Sequence, residues 1–171
     1  LESVKKEFKE LNLKIPKIKV EPGRSIIGNS CVTLYLIGTI KEIPGVRKYV
    51  SVDGGMADNI RPMLYSSKYD AFLANKAGEE RVEKVTVSGK HCESGDILVK
   101  DVVIQKPETG DILCIPATGA YCYAMSSNYN KLPKPAVIMV KDGESRVIIR
   151  RETNDDLLYL ENIINRGEKN E

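Results

Sequence analysis

The chain of 171 residues is predicted to be mainly β, a β-barrel or β-sandwich preceded by one helix and a short strand and closed by a short helix. Three observations predict this. Short apolar or alternating runs recur from Val32 to Arg151 at the spacing of an all-β domain. Turn signals, among them Pro44-Gly45, Gly54-Gly55, Ser94-Gly95, Thr109-Gly110 and Asp142-Gly143, separate most of those runs. Helix signals stand at the two ends, an amphipathic stripe at the start and a capped turn near the close, with only a short turn or helix between them.

The opening sets Val4, Phe8 and Leu11 on one stripe with Lys and Glu between them, so residues 1–13 read as an amphipathic helix ending near Asn12. Pro16 stops its continuation. Ile18 and Val20 alternate with lysines and read as a short strand that runs into Glu21-Pro22-Gly23-Arg24, half of an α/β unit. From Ser25 onward strands are expected at 32–40, 49–53, 68–74, 81–88, 96–100, 111–115, 121–126, 136–140 and 145–151. SGDIL at 94–98 and TGDIL at 109–113 are two strand starts after similar turns rather than a repeat. Thr153, with Asp156 three residues on, forms an N-cap pair ahead of Leu157, Leu158 and Leu160, which places a short helix there. The polar residues 165–171 are expected to fray.

Composition narrows the function classes. With 42% hydrophobic and 29% charged residues, the chain is long enough for one domain with its own core plus some extra chain. Lys and Arg number 26 against 24 acidic residues, so the net charge of +2 offers no global attraction for nucleic acid or a membrane surface. The longest apolar runs are too short to span a bilayer and the first residues lack a secretory pattern, so a cytoplasmic location is expected. Cys31, Cys92, Cys114 and Cys122 form no CxxC pair, and His91 adjoins Cys92 instead of standing at ligand spacing, so neither a metal site nor a disulfide is expected.

Five stretches carry groups suited to chemistry. Glu21-Pro22-Gly23-Arg24 follows a strand end, where Gly23 lets an oxyanion approach main-chain N–H groups and Arg24 can grip it bidentately. The same residues also make an ordinary turn with a surface ion pair. VDGGMADNIRPMLY at 52–65 reads as strand, glycine turn and short helix, with Pro62 permitted near the helix start and Arg61 and Tyr65 on one face. A cation beside a phenol suits a carboxylate, and it equally fits an exposed Arg next to a half-buried Tyr. In the loop His91–Asp96, Cys92 offers a thiol proton and Glu93 a carboxylate for an ammonium group, the alternative being a plain hairpin turn. GAY at 119–121 and SSNYN at 126–130 set small residues beside aromatic hydroxyls, suited to covering a phosphate-bearing ring or to barrel packing.

Taken together, EPGRSII, VDGGMADNIRPMLY, CESGDIL, GAYCYAMSSNYN and RRETNDDLL occur in the order found in the diaminopimelate decarboxylases, which this chain resembles over residues 1–160. Ornithine and arginine decarboxylases share the fold but differ in the IRPMLY and CESGD stretches. The resemblance implies a two-domain enzyme, in which an N-terminal (β/α)8 barrel holds pyridoxal 5'-phosphate through a lysine and a C-terminal β domain follows. Residues 1–24 would then be the last helix and strand of the barrel, and residues 25–171 the β domain. The resemblance also implies that Glu21, Pro22, Gly23 and Arg24 bind the cofactor phosphate and that Arg24 touches substrate. It assigns Arg61 and Tyr65 to the distal end of meso-diaminopimelate, and Tyr121 to both phosphate and substrate. Cys92 would donate the proton and Glu93 recognise the distal ammonium, both reaching across the interface of a homodimer.

The reaction so implied is decarboxylation of meso-diaminopimelate to L-lysine and CO2. The cofactor lysine of the resembled enzymes lies in the barrel, so this chain alone is expected to be inactive and to work with the barrel segment of the same enzyme. Two further readings stay open at this point: a decarboxylase of the same fold for another basic amino acid or a carboxylated polyamine, and a non-catalytic dimerisation or binding module.

Overall fold

The computed structural model describes residues 1–161, and the frayed end expected at 165–171 lies outside them. In chain order the elements are α1 (Glu2–Glu10), α2 (Arg24–Ile27), β1 (Val32–Ile43), β2 (Arg47–Val52), α3 (Arg61–Tyr65), β3 (Phe72–Leu73), β4 (Glu83–Ser88), β5 (Ile97–Ile104), β6 (Ile112–Pro116), β7 (Val137–Lys141), β8 (Glu144–Ile149) and α4 (Asn154–Leu158). The mainly β expectation holds. Alternation along β1 decides which face is core, since Tyr35 and Ile37 are buried while Val32, Leu34 and Leu36 stay more than half exposed.

Six strands form one mixed sheet in the order β3-β6-β1-β2-β4-β5, and β7 pairs with β8 as a separate hairpin. β2 and β4 run parallel, so the chain between them must cross over. That crossover carries the Gly54-Gly55 turn, α3 and β3, and it lays β3 at the far edge beside β6. The two edges of the sheet come back together: Gln105, at the end of β5 and 2% exposed, accepts the Leu73 N–H of β3 at 2.9 Å. A side chain thus closes the curl that the strands leave open. Inside it Ile37, Val50, Leu73, Val87, Ile104 and Leu113 are each no more than 1% exposed.

Several expected elements differ, each for a local reason. Ile18 and Val20 belong to no strand among the described residues, since no strand of either sheet pairs with them. The strand expected at 68–74 shrinks to Phe72–Leu73, since the Ala71 N–H is taken by the neighbouring Asp70 carboxylate at 2.9 Å. The strand expected at 121–126 is instead a turn and a 3-10 helix, Tyr123–Met125. Tyr121 there has φ 66°, outside the extended region, and Ser126 Oγ donates to the Tyr123 carbonyl at 2.6 Å. β5 runs past Lys100 to Ile104 by absorbing Asp101, at φ 56°, as an extra residue against β4.

At the ends, α1 forms as its spacing predicts, with Glu2 in the first turn and Lys9 in the last, yet it buries no residue. α4 forms with the expected cap: Asp156 N–H donates to Thr153 Oγ1 and the Thr153 N–H donates back to the Asp156 carboxylate. The Arg150 guanidinium and Thr153 together hold the Asp156 carboxyl far below the usual carboxylate range. No helix among the described residues is long and apolar enough to cross a membrane.

Candidate functional site

Two arginines from separate elements meet three tyrosines at one side of the sheet. Arg61 opens α3, where Pro62 fits the first turn because its missing N–H is not needed there. Four residues on, Tyr65 lies with its ring 5.1 Å from the Arg61 guanidinium, as the helical spacing predicts. The Tyr121 ring stands 5.3 Å from the same guanidinium, so the cation is flanked by two aromatic faces. Arg61 Nε is buried and has no hydrogen-bond partner among the described residues.

Arg24 begins α2, donates from Nη2 to the Ala117 carbonyl at 3.2 Å, and lies 6.0 Å from the Tyr69 ring. Burial, and then the Cys122 thiol hydrogen-bonded to its hydroxyl, push the Tyr69 phenol above its usual range, with Arg24 opposing them. Arg47, Arg81 and Arg150 pair with carboxylates, whereas Arg24, Arg61, Arg146 and Arg151 form no ion pair among the described residues, and of these four only Arg24 and Arg61 stand against tyrosine rings. Two cations left without counterions beside tyrosine hydroxyls make a site for an anion.

Gly23 faces that site. A Cβ there would stand 2.7 Å from Tyr121 Oη, so only glycine lets the hydroxyl and the main chain approach each other. The loop leading to Tyr121 is seated as tightly, because Gly119 N–H donates to the Gly28 carbonyl at 3.1 Å and a Cβ at Gly119 would lie 2.0 Å from the Ile27 oxygen. Glu21 and Pro22 precede this cradle and are exposed. The structure therefore brings Gly23, Arg24, Arg61, Tyr65 and Tyr121 together.

Cys92 and Glu93 form a second group. Their loop lies against α3 at one point, where a Cβ on Gly95 would be 2.9 Å from the Met63 methyl. The Cys92 thiol is exposed and its N–H donates to Asn130 Oδ1 at 3.3 Å. Glu93 accepts from Ser94 Oγ and Gly95 N–H, both at 3.2 Å. No hydrogen bond joins Cys92 or Glu93 to Arg24, Arg61 or Tyr121 among the described residues. A cavity of about 780 Å³ between α3 and β5 is lined by Met63, Tyr69, Gly95 and Val99 and by none of the predicted site residues.

Sequence reasoning missed what lies beneath both groups. His91, weighed only as a metal ligand, is buried, with Nδ1 2.8 Å from the Asp96 carboxylate. Gly54 is pressed against the Tyr35 ring and Asp58, whose carboxyl burial pushes up while the Gly55 N–H bonded to it pulls down. The signal was present in the paired glycines 54–55, which were read as a turn and not as room for buried side chains.

Known proteins share this arrangement of chain. Diaminopimelate decarboxylase of Bacillus subtilis is 48% identical over 161 residues, 94% of this chain and 37% of the relative. The enzyme of that name from Synechocystis is 51% identical over 96% of this chain and 35% of its own length. The crystal structure of diaminopimelate decarboxylase from M. jannaschii in co-complex with L-lysine superposes with a TM-score of 0.80 at 31% identity, covering 93% of this chain and 36% of that one. The chain thus spans little more than a third of the relatives it matches. A family model described as pyridoxal-dependent decarboxylase, C-terminal sheet domain, matches residues 18–119, and this chain belongs to that family.

Proposed function

We propose that this chain is the C-terminal part of a diaminopimelate decarboxylase, which converts meso-diaminopimelate to L-lysine and CO2 with pyridoxal phosphate. The observation that carries the reading is the pair of arginines, Arg24 and Arg61, gathered with Tyr121 and Gly23 and without carboxylate partners among the described residues. A substrate with a carboxylate at each end, bound beside a phosphate, needs such a set of cations. Relatives near 50% identity carry that activity in their names.

The residues present fit the cofactor. Gly23 lets the Tyr121 hydroxyl lie against the main chain, so a phosphate bound at this turn would accept from that hydroxyl and from main-chain N–H groups, with Arg24 supplying charge. Glu21 and Pro22 shape the approach to this turn. Pyridoxal phosphate, when bound, supplies the ring that accepts the electron pair left as CO2 departs. The lysine that bonds it is assigned to the larger portion of the enzyme outside this chain, a (β/α)8 barrel whose last helix and strand would fall in residues 1–24.

This chain's own residues then bind and orient. Arg24 holds the carboxylate near the cofactor, while Arg61 and Tyr65 hold the distal carboxylate, the guanidinium kept in place by two rings. Glu93 binds the distal ammonium and Cys92 Sγ delivers the proton that replaces CO2, both acting in the partner's site of a homodimer. In this reading the enzyme works in the cytoplasm, and no helix among the described residues is long and apolar enough to cross a membrane. A site with a distal clamp penalises substrates that leave its charges unpaired.

The test uses the complete enzyme and a substrate panel. Arg61→Ala is expected to lower kcat/KM for meso-diaminopimelate by roughly a hundredfold or more, the cost of removing a hydrogen-bonded charge pair, and to change turnover of lysine or ornithine little. Equal losses across the panel would remove Arg61 from the distal clamp and favour a decarboxylase for another basic amino acid.

A further inference from the structure

Asp96 is 3% exposed, and each of its carboxylate oxygens is engaged by a different loop. Oδ1 accepts the Met56 N–H at 2.6 Å, in the turn that feeds α3 and Arg61. Oδ2 accepts the His91 N–H at 2.8 Å and meets His91 Nδ1 at 2.8 Å, one residue before Cys92. Two glycines make room for this. A Cβ on Gly55, which has φ 156°, would lie 2.6 Å from both oxygens, and one on Gly89 would lie 2.2 Å from Oδ2. A main-chain bond runs alongside, from Lys90 N–H to the Gly54 carbonyl at 2.9 Å.

A hairpin turn needs none of this. The loop from Gly89 to Asp96 already closes on itself, with Gly89 N–H donating to the Asp96 carbonyl at 2.9 Å and Asp96 N–H to the Glu93 carbonyl at 3.1 Å. The side chain of Asp96 does something different: it reaches across 40 residues of sequence to the other proposed functional loop. Carboxylates accept on both oxygens, whereas an amide of the same shape accepts on one and donates on the other. Replacing one oxygen by NH2 would therefore set a donor against a donor on one side of the tie.

We propose that Asp96 is a positioning residue that fixes the Cys92–Glu93 loop to the turn carrying Arg61, and so sets where the proton donor and the ammonium-binding carboxylate stand. The inference rests on the roles given to Cys92, Glu93 and Arg61 in the proposed function. Asp96 touches neither substrate nor cofactor. It acts through His91 on one side and Met56 on the other, and His91 is itself seated against the Tyr129 ring at 5.9 Å, next to the Asn130 that holds the Cys92 N–H.

The test is made in the complete enzyme. Asp96→Asn is expected to lower kcat roughly tenfold to a hundredfold, the scale of losing a hydrogen bond to a charged group. In a Cys92→Ala background the same change should lower kcat by less than about threefold more, because the part of the loss that runs through the proton donor is already gone, while any effect through Glu93 on KM remains. A merely structural role would give the same fold-loss in both backgrounds and would overturn the proposal. Hydrogen exchange on the unmodified enzyme needs no variant: the Met56 and His91 amides should show one common protection factor once their intrinsic rates are divided out, and unequal protection would overturn the proposal even if Asp96→Asn failed to fold. Full turnover by Cys92→Ala would strike the assignment of Cys92 instead, and the tie would then be judged by the exchange result alone.

Discussion

A Cβ added at Gly23 and one added at Gly119 meet different obstacles, and the difference separates a binding role from a folding role. At Gly23 the obstacle is Tyr121 Oη at 2.7 Å, the far end of a side chain that can swing away. At Gly119 it is the Ile27 carbonyl oxygen at 2.0 Å, main chain that cannot move without its helix. Gly23→Ala should therefore weaken pyridoxal phosphate binding by the complete enzyme roughly tenfold, one hydrogen bond to a charged group, with thermal stability nearly unchanged. Gly119→Ala should lower the melting temperature first. Cofactor titration followed by absorbance, beside thermal melts, reads both, and unaltered affinity in Gly23→Ala would take Tyr121 out of the phosphate site. The residue pairs legible in sequence were the local ones. Arg61 and Tyr65 could be paired by helical spacing, but Tyr121 arrives at Arg61 from 60 residues away through a left-handed turn that its neighbours do not announce.

Elements were legible where their signals were local and periodic. The Thr153–Asp156 cap and the long alternation of β1 depend on neighbours in sequence, and both appear as expected. The length of β3 depends on which carboxylate takes the Ala71 amide, and the closing of the sheet depends on Gln105, a polar residue between the strands expected at 96–100 and 111–115. Gln105→Ala leaves the Leu73 N–H buried without an acceptor, and denaturant unfolding should show a loss of about 1–3 kcal/mol. A loss under about 0.5 kcal/mol would mean that water or another group serves that amide equally well.

A second tie at the same edge depends on pH. Asp111 joins Lys76 at 2.8 Å, Asn75 at 2.8 Å and the Glu108 N–H at 2.8 Å, and these bonds outweigh the opposing effect of its burial to hold the carboxyl below its ordinary value. A depressed folded-state value means stability that is full above the unfolded carboxyl value and lost as pH falls through the folded one. Denaturation midpoints measured from neutral pH downward should fall over that acid window, and Asp111→Asn should flatten the fall. Parallel curves for the two proteins would assign the acid sensitivity to other carboxylates.

Across the molecule, every buried residue among those described lies between Gly28 and Cys122. That span nearly coincides with the stretch that matches the sheet-domain family, residues 18–119. On either side the chain forms regular elements without burying them: α1 has no buried residue, and Ile138, Val140 and Val147 of the β7–β8 hairpin are each more than half exposed. A hairpin that buries none of its residues is marginal in water, and a helix of 9 residues gains little without a face to bury. Stability should therefore be graded, high in the closed sheet and low at both flanks. Limited trypsin digestion of this chain by itself should cut first at Lys14, Lys17, Lys19, Lys141 and Arg146, and much later at Arg47, Lys48 and Lys84 within the sheet. Joining the chain to the rest of the enzyme should slow the flanking cuts, because the exposed apolar faces are where the proposed barrel and partner subunit would pack. Equal cleavage inside the sheet and outside it would show that the six strands do not form a core of their own, and the closing role given to Gln105 would fall with that result.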